Sequence, residues 1–308
     1  MEAELVETMA VSSGKLDSSV IEAFELGSIV SIKNQTDFPK PSKDLINRVE
    51  RWPVRGWGLK NPTWDPLTKE LHPKQLAREP DANEFIKFLD SFKQAAGKTL
   101  AEAIPQWKGS LIPDRVCWRP WELATRRVRE NARDDFFHID HFPNRPSMGN
   151  RVIRVFMNLG SDDDIVWAST KPLHQLLEEG RKYGQPKVFR DMESIRQEAK
   201  RKTKWWGWAD KGGSFHDTIF KIVHDGLKKD DLFQEEAVRK IHHFPPGTIW
   251  MAMTDACCHS FLRGSWMVDA TWFLPIEYCF HQEAAPAHLL ETVTKIQQPA
   301  AVRVSKAA

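Results

Sequence analysis

The stretch Phe136-Phe137-His138-Ile139-Asp140-His141-Phe142 constrains the fold more than any other part of this chain, because it sets two metal-ligand side chains two positions apart in an aromatic run. Phenylalanine and isoleucine favour an extended strand, and strand side chains alternate between two faces. His138 and Asp140 are therefore predicted to point one way, and Ile139 and His141 the other. One imidazole and one carboxylate on the same side supply two of the three ligands in the facial triad of non-haem Fe(II) oxygenases.

The third ligand has to come from elsewhere, because a His-x-Asp pair alone occurs by chance in many chains. The apolar run Ile249–Met253 predicts a strand, and the chain then turns through Thr254 into His259. We therefore predict that His259 completes the triad. The other histidines considered are expected on the surface (His242 and His243), on a helix (His216 and His224) and near the tail (His281 and His288).

A strand from Arg151 to Leu159 has apolar residues at its odd positions from Ile153 onward, whereas Arg154 and Asn158 share the opposite face with Phe156. If the apolar side packs on helices, the guanidinium faces the interior and needs an anionic partner. The alternative is an arginine on a solvated face.

The remaining pattern predicts an α+β fold with a mainly β core, a double-stranded β-helix (jelly roll, cupin-like) with flanking helices and a helical insertion. Asp81 to Glu84 resembles a capping box, and the apolar spacing after it predicts a core-facing helix that ends near Gly97. A strand from Trp266 to Phe273 closes the core. The expected divisions are a mobile leader (1–20), a helical and irregular region packed on the core (21–110), the β core (111–280) with its helical insertion (172–240), and a tail (281–308).

Bulk composition excludes several functional classes. Lys+Arg of 44 against Asp+Glu of 42 gives a net charge of +2, which predicts no nucleic-acid partner. The four cysteines have no CxxC spacing, so neither a zinc knuckle nor a disulfide framework is expected, and a reducing compartment fits. No basic and apolar leader and no apolar run of 18 residues is present, so a secretory signal and a membrane span are not expected.

Five separated stretches in order resemble the Kdo 3-hydroxylases, iron- and 2-oxoglutarate-dependent enzymes that modify 3-deoxy-D-manno-oct-2-ulosonic acid (Kdo) in lipopolysaccharide. They are FHIDHFPNRP (137–146), GNRVIRVFMNLG (149–160), FHDTIFKIVHDGLKKDDLFQ (215–234), FPPGTIWMAMTDACCHSFLRGSW (244–266) and TWFLP (271–275). The resemblance runs from about Arg115 to Pro275, roughly half of the chain.

The resemblance implies that His138, Asp140 and His259 hold Fe(II), with 2-oxoglutarate and O2 as cosubstrates. It implies hydroxylation of Kdo at C3 to D-glycero-D-talo-oct-2-ulosonic acid, with succinate and CO2 as co-products. Where such oxygenases often place a basic residue about ten positions after the last histidine, this chain has Asp269. Arg154, with Asn158 beside it, is therefore the expected partner of the 2-oxoglutarate carboxylate. Arg127, Arg145 and Arg151 are further candidates for the carboxylate of the cosubstrate or of the sugar acid.

The implied substrate is Kdo linked to a lipid A precursor, and the implied location is the cytoplasm, with peripheral contact at the cytoplasmic face of the inner membrane. The basic, indole-rich segment 200–208, which includes Trp206, suits an anionic interface; the alternative is a solvated helix end followed by core tryptophans. Two other functions stay open: a 2-oxoglutarate oxygenase acting on a protein side chain or small metabolite, and a metal-free β-barrel that binds acidic sugars.

Overall fold

The computed structural model describes residues 5–33, 37–52, 61–121, 133–142, 144–205 and 214–294. Within these ranges eleven strands form two sheets. The strands are β1 (Thr8–Ser12), β2 (Ile29–Lys33), β3 (Thr63–Asp65), β4 (Glu70–His72), β5 (Ile112–Arg119), β6 (Arg151–Asn158), β7 (Ile165–Ser169), β8 (Lys240–Phe244), β9 (Ile249–Met253), β10 (His259–Arg263) and β11 (Met267–Leu274).

Eight α-helices occur in the same ranges, and four of them form the insertion between β7 and β8. The helices are α1 (Ser18–Glu25), α2 (Lys43–Glu50), α3 (Ala82–Ala103), α4 (Leu173–Tyr183), α5 (Met192–Trp205), α6 (Phe215–Lys228), α7 (Asp231–Glu236) and α8 (Pro286–Thr294). The predicted order of strands, helical insertion and strands is confirmed, as is the mixed α+β class. No helix in the described ranges is long and apolar enough to cross a bilayer.

The large sheet has eight strands in the order β1-β2-β9-β6-β11-β5-β3-β4, and the small sheet has three in the order β10-β7-β8. From β6 onward the chain passes between them several times: β6, β9 and β11 lie in the large sheet, whereas β7, β8 and β10 lie in the small one. The β1–β2 pair is parallel, and the other strand pairs formed by the described residues are antiparallel.

Strand β6 separates two apolar cores, as its alternating sequence predicts. Ile153 and Val155 pack into the core between the large sheet and helices α1 to α3. Phe156 points the other way, into the core between the two sheets, where it stacks on Trp250 at a centroid distance of 5.3 Å. A third core fills the helical insertion and includes Leu290 of α8. Because its alternate side chains lie between the sheets, β6 carries Arg154 to the interior.

Helix α3 packs its phenylalanine stripe on the large sheet but is longer than its sequence predicts. It continues through Gly97 to Ala103, because a single glycine inside a helix costs only about 1 kcal/mol and does not end it. The predicted capping box is also wrong, since the Asp81 side chain makes no capping hydrogen bond.

The described parts of both termini belong to the fold. The prediction of a mobile leader over 1–20 is wrong from residue 5 onward, because β1 pairs with β2 and Val6 packs between the sheets. Region 21–110 does more than pack on the core, since it supplies β2, β3 and β4 to the large sheet. In the expected tail, α8 packs against α4 and α5.

The expectation of a surface position for His242 is also wrong. His242 lies in β8, a strand that was not predicted because the sequence of β8 is polar. The residue is 4% exposed. Its ring nitrogens lie 2.6 Å from both Thr8 Oγ1 and Ser169 Oγ, so the imidazole joins β1 to the small sheet. His243 faces outward beside Asp164, as expected.

Candidate metal centre

The three predicted ligands come together in the folded chain. His138, Asp140 and His259 are buried, and one ligand atom from each lies within 4.8 Å of the others. His138 Nε2 is 3.6 Å from Asp140 Oδ1, and the two imidazole centroids are 4.8 Å apart. In the described part of the chain no other group of three or more such side chains is close enough to hold an ion.

The backbone around the ligands is extended, although the predicted strand through His138 is wrong. That segment forms a single bridge, in which the His138 N–H donates to the His259 carbonyl at 3.0 Å and the His259 N–H donates back at 2.9 Å. The Asp140 N–H donates to the Thr254 carbonyl at 2.7 Å. Phe137 and Ile139 alternate into the core of the insertion, which leaves the two ligands facing the other way.

Both imidazoles are oriented as metal ligands require. His138 Nδ1 lies 2.7 Å from the Phe136 carbonyl oxygen, and His259 Nδ1 lies 2.8 Å from the Cys257 carbonyl oxygen. A carbonyl only accepts, so in each neutral ring Nδ1 carries the proton and Nε2 keeps its lone pair. The Trp167 ring stacks on His259 at 4.9 Å and restricts its rotation.

The protonation states suit a cation as well. Burial, with the nearby Lys228 charge, lowers the pKa of His138 to about 3, and burial lowers the pKa of His259. Burial alone would raise the pKa of the Asp140 carboxyl, but the Arg154 guanidinium and the two imidazoles hold it well below its usual value. Two neutral imidazoles and one carboxylate are the donor set that binds Fe(II) in facial triads.

Arg154 fixes the carboxylate ligand from behind. Its Nη1 donates to Asp140 Oδ2 at 2.7 Å, and its Nη2 donates to Asp269 Oδ2 at 2.6 Å. Asp269 in turn accepts from Arg119 Nε at 3.4 Å. Asp269, which stands where such oxygenases often have a basic residue, thus anchors Arg154 of β6. The predicted anionic partner of Arg154 is a pair of carboxylates.

A cavity of about 390 Å³ opens beside the triad and is lined largely by charged and polar groups. One wall is the inner face of the large sheet, with Arg115, Arg154 and Asp269. The opposite wall is α6, which contributes Lys221 and His224. A concave site of this size fits a small ligand with several polar groups.

The other predicted site residues lie in different places. Arg145 lines the cavity, where it pairs with Asp65 and lies 3.6 Å from Asp114. Arg151 is fully buried against Asp255 at 2.8 Å and does not line the cavity, so it is a structural residue because its charge is already matched. Arg127 and Trp206 lie outside the described residues.

Asn158 is also structural. Its Nδ2 donates to the carbonyls of Asp163 and Phe244 at 2.9 and 2.8 Å, and its Oδ1 accepts from the Gly160 N–H at 2.8 Å. The side chain therefore has no free donor for a cosubstrate, and it does not line the cavity.

Several groups of the site were missed from the sequence. The His224 ring lies 5.5 Å from that of His138, and helical spacing gives no sign that α6 closes the cavity. His141, expected on the far face, lines the cavity as well, because the alternation ends after Asp140. The sequence did indicate Arg115 and Arg119, because they lie on the same face of one predicted strand, as Arg154 and Asn158 do on another.

A family model described as 3-deoxy-D-manno-oct-2-ulosonic acid (Kdo) hydroxylase matches residues 8–297. The chain belongs to the Kdo hydroxylase family. The match extends the sequence resemblance over nearly the whole chain, including the first hundred residues.

Among solved structures, the fold is similar to that of the Kdo hydroxylase KdoO, described as a non-heme Fe(II) alphaketoglutarate-dependent dioxygenase. The apo structure has a TM-score of 0.78 at 21% identity and covers 95% of this chain and 97% of that one. The complex with succinate and Fe(III) has a TM-score of 0.78 at 20% identity, over 96% and 98%. The complex with alphaketoglutarate and Fe(III) has the same score and identity, over 95% and 97%. At this identity the likeness establishes the shared fold. No curated protein sequence matches the chain significantly.

Proposed function

We propose that this protein is an Fe(II)- and 2-oxoglutarate-dependent dioxygenase that hydroxylates C3 of Kdo. The observation that carries the proposal is the buried triad of two neutral imidazoles and a carboxylate beside a charged cavity, in a member of the Kdo hydroxylase family. The KdoO complexes with alphaketoglutarate, succinate and Fe(III) support the choice of metal and cosubstrate.

His138, Asp140 and His259 would hold the metal through Nε2, a carboxylate oxygen and Nε2. When bound, Fe(II) and 2-oxoglutarate supply O2-dependent hydroxylation of a C–H bond, with succinate and CO2 as co-products. The chain prepares its ligands in advance, because backbone carbonyls fix both imidazole tautomers and Arg154 fixes the carboxylate. The Trp167 ring covers one face of the His259 imidazole.

Arg154 remains our proposed partner for the distal carboxylate of 2-oxoglutarate, now without Asn158. Both terminal nitrogens already donate to carboxylates, but Nε is buried and has no hydrogen-bond partner among the described residues. A guanidinium carries five N–H donors, so Nε–H and the second N–H of each terminal nitrogen remain for a cosubstrate.

The architecture supports assignment as a double-stranded β-helix. From β6 to β11 the chain passes repeatedly between two sheets that share a core, and the triad lies where β10 meets the segment after β5. In this assignment the large sheet extends the barrel-like core with strands from the first hundred residues.

The proposed substrate is Kdo carried on a lipid A precursor, reached from the cytoplasmic face of the inner membrane. The cavity supports an anionic sugar, since its lining has six Lys and Arg side chains against five aspartates. The membrane-contact segment expected at 200–208 lies partly outside the described residues. Within it, Lys202 pairs with Glu198, as on a solvated helix face.

The test is product analysis of the wild type and of a variant that lacks one proposed metal ligand. The wild-type protein is incubated anaerobically with Fe(II), then with 2-oxoglutarate, O2 and Kdo-lipid A precursor, and the sugar is analysed by mass spectrometry and NMR. We expect one added oxygen atom at C3 with the wild type and none with Asp140→Ala. Unmodified Kdo with the iron-loaded wild type would refute the proposed substrate.

A further inference from the structure

The cations that line the cavity are matched by carboxylates or backbone groups, with one exception. Arg154 and Arg119 share Asp269 and also pair with Asp140 and Asp134, respectively. The remaining matched cations are Arg145 with Asp65 and Asp114, Lys221 with Asp225, and Lys228, which donates to the Arg133 carbonyl at 2.5 Å.

The exception is Arg115. Its guanidinium lines the cavity, is half-buried and forms no ion pair with any residue that the structure describes. Its Nε is buried without a hydrogen-bond partner in those same ranges. The adjacent carboxylate, Asp114, attracts this guanidinium electrostatically, but the ion pair that it forms, at 3.6 Å, is with Arg145. A buried donor without a partner is costly, so this arginine is suited to an anion that arrives from outside.

A β-bulge brings Asp114 onto the cavity face beside Arg115. Between β11 and β5 the register shifts, with Ala270 opposite Val116 but Trp272 opposite Pro113. Two residues of β5, Asp114 and Arg115, therefore face one residue of β11. On a regular strand these neighbours would point to opposite faces, yet both line the cavity, because a bulge locally redirects side chains.

The position of β5 separates Arg115 from the metal ligands. The order β6-β11-β5 places Arg115 two strands away from Arg154, which contacts the ligand Asp140. Neighbouring strands are about 4.8 Å apart, so the two arginines stand on strands separated by roughly 10 Å. A cosubstrate that binds at the metal occupies the inner part of the cavity, and the outer part is left for the substrate.

We infer that Arg115 binds the carboxylate of the sugar-acid substrate and thereby orients the sugar in the outer cavity. A guanidinium binds a carboxylate through two parallel N–H donors, which fixes direction as well as position. This inference rests on the proposed function, because it takes the substrate to be Kdo, which carries a carboxylate. Arg115 is a specificity-determining residue in this account, and the metal ligands do not depend on it.

The test compares wild type, Arg115→Met and Arg115→Lys, with Arg196→Met as the control. Arg196 lies on α5, away from the cavity, and pairs with Glu193. The Michaelis constants for Kdo-lipid A precursor and for 2-oxoglutarate are measured separately. Binding of free Kdo and of its methyl ester to the metal-free protein is followed by calorimetry, and the melting temperature verifies folding.

For Arg115→Met we expect the substrate KM and the Kd of free Kdo to rise on the order of 10- to 100-fold, with the 2-oxoglutarate KM and the melting temperature unchanged. Arg115→Lys should recover part of the loss, because it keeps the charge without the planar fork. Wild type should discriminate against the methyl ester, and Arg115→Met should not.

Unchanged Kdo binding in Arg115→Met would overturn the inference, as would a rise confined to the 2-oxoglutarate KM, which would assign the arginine to the cosubstrate. Failure of the proposed function would look different, because the wild type itself would then give no 2-oxoglutarate-dependent product. The calorimetric comparison of Kdo with its ester needs no turnover and tests Arg115 in either case.

Discussion

Replacing Arg154 with methionine should destabilise the protein strongly, because the change leaves a buried carboxylate without a countercharge. Arg154 is 4% exposed and donates to Asp140 at 2.7 Å and Asp269 at 2.6 Å. Asp269 keeps Arg119, whereas in the metal-free protein Asp140 keeps only the imidazoles. The loss therefore corresponds to one broken buried pair, about 3–5 kcal/mol in the free energy of unfolding.

The assay is urea unfolding of the metal-free protein, monitored by tryptophan fluorescence. Arg196→Met, which removes an exposed pair with Glu193, should be nearly neutral. Adding Asp140→Asn to Arg154→Met removes the carboxylate that is left without a countercharge, so the double variant should be more stable than the sum of the single changes predicts, by about 0.5–3 kcal/mol. A loss for Arg154→Met as small as for Arg196→Met, or strict additivity in the double variant, would refute the assigned network.

Three further predictions concern the metal, pH and packing. Asp140→Ala should weaken Co(II) binding, measured by calorimetry, by more than about 100-fold, because loss of outer-shell partners alone costs 10- to 100-fold; unchanged affinity would place the metal elsewhere. Burial lowers the pKa of His242 to about 4 from an ordinary 6.5. Between these two values the unfolded chain binds a proton that the folded chain does not. Stability is therefore greatest above pH 6.5 and falls by about 3 kcal/mol as the pH drops toward 4. The difference in unfolding free energy between wild type and His242→Gln should therefore shrink over that range, and a difference that does not change with pH would contradict the prediction. Gly180→Ala should lower the free energy of unfolding, measured with urea, by about 1–3 kcal/mol, because the new Cβ would lie 2.3 Å from Phe189 Cβ. This clash should outweigh the better helix propensity of alanine, and a more stable variant would contradict the packing.

The grouping of the three candidate ligands could be predicted from the sequence because its signals are local. His138 and Asp140 lie two residues apart in an extended segment, and His259 follows a buried strand. Their side chains meet as predicted even though the segment forms only a single bridge. Alternation of side chains depends on extended backbone and does not require a ladder of hydrogen bonds.

Features that depend on pairing between distant segments could not be predicted. Strand β8 contains polar residues, and His242 is buried by the pairing of β8 with β7 and by its contact with Thr8 of β1. The position of Asp114 on the same face as Arg115 depends on a bulge opposite Thr271, which single-strand periodicity cannot reveal. Asn158 and Arg154 share one face of β6, but they lie at different points along the strand. Asn158 bonds the loop that follows β6, whereas Arg154 reaches Asp140 in the site.

The central claim is that this triad supports 2-oxoglutarate-dependent oxidation of a Kdo substrate. The most direct measurement is succinate release with anaerobically added Fe(II), 2-oxoglutarate and O2, with and without Kdo-lipid A precursor, for wild type and His259→Ala. We expect succinate that increases with the lipid in the wild type and is absent in the variant. Succinate that is indifferent to the lipid would contradict the substrate, and no succinate from the wild type under any condition would contradict the oxygenase chemistry itself.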